Sequence, residues 1–228
     1  MKDSFLKILQ KEGQREYFQK IIKNLEKAQK EQKTIYPLQM DLFKPFDFFQ
    51  IQDTKVVIVG QDPYTKPFVA DGLCFSTSLS KTPASLKNIF NEVKKDYPNL
   101  SFNSNSLISW AKQNVLLLNS IFTVEYNKPH SHKNFGWQEF SSQIIYQILL
   151  SNPNVVILSL GETAHKTTKK AIDLFTKSQN NKLNPNVFYL SHPSPLGYRH
   201  SFKDSGVFKK INQILKQNNQ TEIDWSTN

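Results

Sequence analysis

Apolar residues recur every three or four positions across residues 3–33, a spacing that predicts a helical N-terminal region ending before Pro37. Four short runs that are apolar at successive positions follow this region. Each run predicts a strand buried on both faces, as strands are in a parallel sheet covered by helices. The four predicted strands cover residues 56–59, 115–118, 155–158 and 187–190.

Helical patterns separate and follow these runs. The predicted helices cover residues 83–96, 137–150, 163–176 and 207–216. Because strands that alternate with helices are typical of α/β proteins, we predict one domain over residues 1–228, with a central four-stranded parallel sheet flanked by helices. From about residue 218 the chain is polar, and we expect this tail to be loose.

Chemically distinctive residues lie at the end of each predicted strand. Asp62 lies in the segment GQDPY after the first strand, and Asn119 ends the second. Gly161 follows the third strand, and His192 opens the segment HPSPL after the fourth. Ligands of open parallel sheets bind at the carboxyl ends of the strands, so these residues are expected to form an active site on one rim. Each residue alone is equally typical of a turn or a structural hydrogen bond, and only their convergence favours a site.

The charge of the chain is strongly positive. Its 228 residues include 29 lysines and arginines against 19 aspartates and glutamates, a formal net charge of +10. Such a charge favours polyanionic partners, among them nucleic acid. Lysine and asparagine are abundant throughout, so compositional drift is an alternative explanation.

Other sequence features bear on the location of the protein. No apolar run approaches the roughly 18–20 residues of a membrane span, and we expect no membrane partner. The first ten residues mix charged with apolar side chains and contain no small-residue cleavage site, so we expect a cytoplasmic protein. Cys74 is the single cysteine, which excludes an intramolecular disulfide.

Several longer motifs are more specific than any single residue. In chain order they are GQDPY at 60–64, DGLCFS at 71–76, LLLN at 116–119 followed by Thr123 and Val124, SH at 131–132 before GW at 136–137, and HPSPL at 192–196. Over about residues 56–202 the sequence resembles the family 1 uracil-DNA glycosylases, base-excision repair enzymes that remove uracil from DNA. The resemblance implies a monofunctional hydrolase that flips uracil out of DNA, hydrolyses its N-glycosidic bond and leaves an abasic site.

The resemblance implies a pocket that recognises uracil through four residues. Phe75 would stack on the flipped base, and Tyr64 would stand against C5 and exclude the methyl group of thymine. Asn119 would accept a hydrogen bond from uracil N3–H and donate one to O4, a pattern that cytosine reverses. The backbone around Gln61 would also contact the base.

The resemblance also implies the catalytic groups. Asp62 would position the attacking water and stabilise the positive charge that develops on the sugar. His192 would donate a hydrogen bond to uracil O2 as a neutral imidazole. We expect no cofactor and no metal, because uracil is a tolerable anionic leaving group. The pair His130 and His132 lacks a cysteine or a nearby acid that would complete a metal-ligand set.

Four residues are implied to hold the DNA, either single- or double-stranded. Leu196 would wedge into the space that the flipped base leaves. Ser85 and Ser194 would hydrogen-bond phosphates that flank the uracil, and Gly161 would donate its backbone N–H to another phosphate. One flipped base needs one pocket, so we expect a monomer. The motifs identify neither a protein inhibitor nor a repair partner.

The chain departs from the family pattern at several positions beside these motifs. Thr65 stands in place of the usual histidine, which removes a polar partner near the catalytic water. Gly197 stands in place of the serine expected after the wedge leucine, which removes a phosphate contact and loosens the loop. His200 and Ser201 replace an arginine and a glycine, and Leu160 replaces a tryptophan. We therefore expect an active enzyme with an altered grip on DNA.

Three other interpretations are open at this point. A non-catalytic DNA-binding module on the same fold need not keep the acid, amide and histidine that this chain keeps. A related glycosylase with another damaged-base preference is disfavoured by Tyr64 and Asn119. A nucleotide-binding α/β hydrolase would need a phosphate-cradling glycine loop of the usual spacing, which the sequence lacks.

Overall fold

A computed structural model describes residues 1–180 and 184–227 of the chain. Its centre is a parallel sheet of four strands: β2 (Val56–Gly60), β3 (Val115–Asn119), β5 (Val156–Leu160) and β6 (Asn186–Leu190). Their order across the sheet is β3-β2-β5-β6. The predicted α/β fold is confirmed, and each observed strand lies within two residues of its predicted bounds.

Helices cover both faces of this sheet. The helices that follow the N-terminal region are α3 (Ala84–Asp96), α4 (Ile108–Ala111), α5 (Trp137–Ser151), α6 (Glu162–Ser178) and α7 (Val207–Gln217). All of these except the four-residue α4 match predicted helices. Within residues 1–180 and 184–227, no helix is long and apolar enough to cross a membrane.

The N-terminal region is more broken than its apolar spacing predicts. It forms two helices, α1 (Asp3–Glu12) and α2 (Glu16–Lys30), which are separated at Gly13. A two-residue strand, β1 (Ile35–Tyr36), then pairs in antiparallel fashion with β4 (Val124–Glu125). Elements this short contain too few residues to show a hydrophobic period, so the sequence pattern could not reveal them.

The strands are apolar at successive positions because the sheet separates two hydrophobic cores. Val56 and Ile58 of β2 face a core built with α3 and α7. Val57 and Val59 face the other core, to which α1, α2, α5 and α6 contribute. The side chains of a strand point alternately to opposite faces, so both sets are withdrawn from water.

The C-terminal tail is packed against the domain, which corrects the prediction that it is loose. Ile223 and Trp225 are buried, at 3% and 0% exposure. The Trp110 Nε1–H donates to the Trp225 carbonyl at 3.0 Å, and Asn212 makes two backbone hydrogen bonds to Ile223. The two apolar residues hold the tail although its other residues are mostly polar, because burying each large side chain stabilises the fold by about 1.5–3 kcal/mol.

The strand register aligns the carboxyl ends of the sheet. Gly60 lies opposite Asn119 in the β2–β3 pair, and Leu160 lies opposite Leu190 in the β5–β6 pair. The four segments that leave these strands therefore begin on the same rim.

Candidate active site

A pocket opens on this rim. Its cavity of about 190 Å³ is smaller than the roughly 300–1,000 Å³ that drug-sized ligands occupy, so it suits a ligand as small as one ring. Seven of the predicted site residues line it: Gln61, Asp62, Tyr64, Phe75, Ser85, Asn119 and His192. These residues come from segments far apart in the sequence, and the sheet brings them together.

The Asp62 carboxylate is held by hydrogen bonds to both of its oxygens. Gln61 Nε2 donates to Oδ1 at 2.8 Å, and the backbone N–H of His130 donates to Oδ2 at 2.7 Å. Gln61 Nε2 also lies 3.0 Å from the His130 ring nitrogen Nε2. The carboxylate therefore has a fixed orientation at the pocket wall and does not depend on a bound ligand for it.

The His192 imidazole is set up as a neutral hydrogen-bond donor. The backbone N–H of Ser194 donates to His192 Nδ1 at 3.1 Å, which leaves the proton of the neutral ring on Nε2. Burial lowers the pKa of His192 below its ordinary value, against the opposing effect of the Asp62 charge, and His130 lowers it further. The ring is therefore uncharged near neutral pH.

Two glycines pack directly against His192. A Cβ at Gly161, where φ is +93°, would lie 3.0 Å from the His192 Cβ, and a Cβ at Gly197 would lie 2.4 Å from the His192 carbonyl oxygen. The missing side chains therefore allow the histidine its position. A serine at position 197 would not fit this loop conformation without a shift of the backbone.

The phosphate contact predicted for the Gly161 backbone is not supported by the structure. Its N–H donates to the Leu190 carbonyl at 2.9 Å, so that donor is already used within the sheet rim. The sequence could not reveal this pairing because it depends on how β6 lies beside β5. Gly161 contributes to the site through its close packing with His192 instead.

Phe75 and Tyr64 form a linked aromatic wall. The Tyr64 hydroxyl donates to the Phe75 carbonyl at 2.9 Å, and burial is the main reason that the pKa of Tyr64 is raised above its ordinary value. Phe75 has a left-handed φ of +64° and is 8% exposed. Gly60 leaves room for the ring, because a Cβ there would approach the Phe75 Cζ to 3.0 Å.

Asn119 presents an unpaired amide to the pocket. It is 8% exposed, and its side chain has no hydrogen-bond partner among the residues that the structure describes. Its backbone is fixed, since the Ser141 hydroxyl lies within donating distance of the Asn119 carbonyl, at 3.1 Å, and of the Ser120 carbonyl, at 3.0 Å. Because this amide lines the pocket and carries both a donor and an acceptor, it is suited to reading the polar edge of a bound ring.

The residues predicted to hold DNA lie around the mouth of the pocket. Ser85 lines the pocket as the second residue of α3. Ser194 and Leu196 lie on the loop after β6, outside the pocket lining, and Leu196 is 91% exposed. An apolar side chain with that exposure takes no part in the core and is free to contact a partner.

A buried carboxylate that the sequence analysis missed anchors this loop. Glu92 of α3 is 2% exposed and accepts hydrogen bonds from the Tyr198 hydroxyl, from Lys95 Nζ at 2.6 Å and from the Asp204 backbone N–H at 2.6 Å. Lys95 also forms an ion pair with Asp204 at 2.7 Å. Nothing in the sequence relates Glu92 to Tyr198, since 106 residues separate them.

A second tether to the same loop comes from Asn88, also on α3. Its Nδ2 donates to the Pro193 carbonyl at 2.8 Å, next to His192. Together with Glu92, it fixes the loop after β6 at two points along one helix. The helix that carries Ser85 therefore also positions His192 and Leu196.

The motif histidine His132 has a structural position. It is fully buried, and its Nδ1 shares a hydrogen bond with the Thr123 hydroxyl at 2.8 Å. The Thr123 hydroxyl also accepts a hydrogen bond from Trp137 Nε1 at 2.7 Å. Burial lowers the pKa of His132 to about 4. Across residues 1–180 and 184–227, no group of three histidine, cysteine or acidic side chains is placed to hold a metal ion.

Comparisons with known proteins agree with this geometry. Residues 46–216 match the Uracil DNA glycosylase superfamily. The chain is 41% identical over 223 residues to a uracil-DNA glycosylase of Mesomycoplasma hyopneumoniae, covering 98% of this chain and 97% of that protein. It is 40% identical to that of Mycoplasmopsis pulmonis, covering 95% and 94%. Among solved structures, mimivirus uracil-DNA glycosylase matches with a TM-score of 0.88 at 24% identity, covering 99% of this chain and 87% of that one, which shows a shared fold.

Proposed function

The chain belongs to the uracil-DNA glycosylase superfamily, and we propose that it hydrolyses the N-glycosidic bond of uracil flipped out of DNA. The product is an abasic site in base-excision repair. The observation that carries the proposal is the unpaired Asn119 amide, which faces a one-ring pocket whose wall holds Asp62 and His192.

Base selection follows from the two ends of the Asn119 amide. Its Oδ1 accepts from uracil N3–H while its Nδ2 donates to uracil O4. Cytosine has an acceptor at N3 and a donor at its amino group, so it would face each end of the amide with the wrong partner. Each buried group left unpaired costs about 1–3 kcal/mol, which is enough to favour uracil strongly.

Stacking and steric exclusion complete the selection. Phe75 offers its ring face to the base, which contributes dispersion and apolar burial without distinguishing pyrimidines. Tyr64 is held in place by its hydrogen bond to the Phe75 carbonyl, at 2.9 Å. Its ring would meet the methyl group that distinguishes thymine from uracil. The backbone at Gln61, on the same wall, contacts the base as well.

Bond cleavage places negative charge on the departing uracil. The neutral His192 ring donates from Nε2 to uracil O2 as this charge develops, and its Nδ1 is held by Ser194. A fixed donor aimed at the developing charge lowers the activation free energy by about 3–4 kcal/mol. The donor needs no proton transfer, so a pKa below the ordinary histidine value suits the role.

The sugar develops positive charge in the same step. The Asp62 carboxylate stabilises this charge and positions the attacking water. Its two hydrogen bonds, from Gln61 and from the His130 backbone, keep it oriented before the substrate binds. This preorganisation replaces the reorganisation that water would have to undergo in solution.

The mouth of the pocket holds single- or double-stranded DNA. Leu196 fills the space that the flipped base leaves in a duplex, and Ser85 and Ser194 hydrogen-bond the flanking phosphates. The net charge of +10 adds attraction to the DNA backbone. We expect a monomer, since one chain supplies the whole site, and we expect it to act in the cytoplasm.

The proposal is tested by measuring the release of uracil, thymine and cytosine by the wild type and by two variants of Tyr64. Wild-type protein is expected to release uracil and neither thymine nor cytosine from matched oligonucleotides. Tyr64→Ala is expected to gain thymine release, because the ring that meets the methyl group is gone. Tyr64→Phe is the matched control: it keeps the ring, loses only the hydroxyl and should still exclude thymine.

Two results would contradict the proposal. Release of cytosine by the wild type would refute the claim that the Asn119 amide selects uracil over cytosine. Thymine release by Tyr64→Phe equal to that by Tyr64→Ala would show that the ring does not exclude the methyl group.

A further inference from the structure

The loop that joins Asp62 to Phe75 carries an exposed aromatic residue. Phe68 is 74% exposed, although most phenylalanines of the chain are buried. Its φ of +60° lies in the left-handed region, which strains any residue with a Cβ. A strained, water-exposed phenylalanine contributes little to the fold, and such residues concentrate at functional sites.

Phe68 lies next to the pocket mouth. Ala70, two residues further on, lines the base pocket and also a neighbouring cavity of about 310 Å³. Phe68, Tyr36 and Leu38 form the apolar part of that cavity. The two cavities therefore meet at Ala70, and Phe68 lines the cavity that adjoins the base pocket.

The two carboxylates of this neighbouring cavity are paired within the protein, which limits their repulsion of a DNA strand. Asp71 accepts hydrogen bonds from the Ser76 hydroxyl at 2.6 Å and from the Leu73 N–H at 3.2 Å. Asp41 forms an ion pair with Lys44 at 3.7 Å. Both carboxylates of the cavity thus have partners.

A cation stands close to the aromatic ring in the sequence. Lys66, two residues before Phe68, is exposed and forms no ion pair within the described part of the chain. A lysine of this kind attracts a phosphate. The loop therefore combines an aromatic face with an exposed positive charge, the pairing that single-strand-binding grooves use.

We infer that Phe68 is a stacking platform for a nucleobase that neighbours the flipped uracil. The inference rests on the proposed function, because it places the uracil of the same strand in the base pocket. An aromatic face accepts any base, so the platform strengthens DNA binding without adding sequence preference. It is a contact of the strand that carries the uracil, and a duplex partner is not needed for it.

The test combines variants of Phe68 with single-stranded oligonucleotides that contain one uracil. In each oligonucleotide one flanking nucleotide is replaced by an abasic spacer, so that one base at a time is missing. KM and kcat for uracil release are measured for the wild type, Phe68→Ala and Phe68→Trp. Met40→Ala is the matched control, because Met40 is another exposed apolar residue, at 84% exposure.

On the intact oligonucleotide, Phe68→Ala is expected to raise KM by roughly 5- to 150-fold, the range of one base–aromatic stack, with kcat nearly unchanged. That increase should vanish on the one oligonucleotide that lacks the stacked base. Phe68→Trp should keep wild-type KM, and so should Met40→Ala. Equal KM for Phe68→Ala and the wild type would overturn the inference and leave this surface to a protein partner.

Two further results distinguish the loss of base stacking from a change in the stability of the fold. Phe68→Gly relieves the left-handed strain and should unfold at a higher urea concentration than wild type, yet bind DNA as weakly as Phe68→Ala. An increase in KM that is the same with every spacer would also overturn the inference, because it would show no base-specific contact. If the wild type releases no uracil, the proposed function fails, and the same spacer scan read by fluorescence anisotropy still tests the platform.

Discussion

Replacing Gly161 by alanine tests whether this glycine positions His192 or binds phosphate. The glycine has φ +93° and ψ +166°, a region that is essentially restricted to glycine and costs other residues about 1–3 kcal/mol. The new Cβ would also lie 3.0 Å from the His192 Cβ and 3.3 Å from its Cδ2, so the ring must move by a few tenths of an ångström. Both effects act on the residue that donates to uracil O2.

The expected loss can be estimated from the role of that donor. A fixed donor to a developing anion contributes about 3–4 kcal/mol, and a small displacement forfeits part of it. We expect kcat of Gly161→Ala to fall by roughly 10- to 100-fold, with little change in KM for DNA. Single-turnover uracil release measures the chemical step, and urea unfolding confirms that the variant is folded under the assay conditions.

Gly206→Ala is the matched control for backbone strain. Gly206 also has a positive φ, of +63°, but a Cβ there would meet nothing closer than 3.7 Å. It should therefore lose about 1–2 kcal/mol of stability and keep its kcat. A rise in KM with unchanged kcat for Gly161→Ala would refute the positioning role and restore the phosphate contact.

Three further predictions concern the loop and the buried histidine. Leu196→Ala should lower activity on duplex DNA several-fold and leave single-strand activity and stability nearly unchanged, because the side chain is 91% exposed; equal loss on both substrates would remove the wedge role. Tyr198→Phe should lower the free energy of unfolding by about 1.5–3 kcal/mol, because it removes a hydrogen bond to the buried Glu92 carboxylate. It should also lower activity on duplex DNA, because the loop after β6 is held less firmly. Urea unfolding measures the first effect, and duplex assays measure the second. The pKa of His132 is about 4 in the folded protein against 6.5 in the unfolded chain, so the unfolded chain takes up the proton first as pH falls. The folded state should therefore lose about 3 kcal/mol of stability between pH 6.5 and pH 4, and none of this loss occurs above pH 6.5. In urea unfolding, the non-titrating His132→Asn should lack this part of the pH dependence.

The strands and the rim could be predicted because local patterns encode them. A run such as residues 56–59, apolar at every position, has few alternatives to a buried parallel strand, and the ends of such strands meet at one edge. Asn119 directly follows one of these runs, and Asp62 and His192 lie three and two residues after the ends of theirs. Their meeting in one pocket therefore followed from topology.

Features that depend on contacts between distant segments could not be predicted. The Glu92–Tyr198 hydrogen bond joins residues 106 positions apart, and the Gly161 N–H is used by a carbonyl of a different strand. The tail was expected to be loose because its composition is mostly polar, yet Trp225 alone supplies a large buried surface. Composition averages over a segment, whereas one well-placed side chain is enough to anchor it.

The proposed mechanism is tested most directly by asking whether uracil release requires the two predicted catalytic residues, Asp62 and His192. The assay is single-turnover cleavage of an oligonucleotide with one uracil, run in EDTA beside matched thymine and cytosine oligonucleotides. The wild type is compared with Asp62→Asn and His192→Ala, and DNA binding of all three is measured in parallel. We predict uracil-only release by the wild type, slowed by roughly 100-fold or more in each variant while DNA binding is retained. Tight DNA binding by the wild type without any release would contradict the account and identify the chain as a DNA-binding module that lacks catalysis.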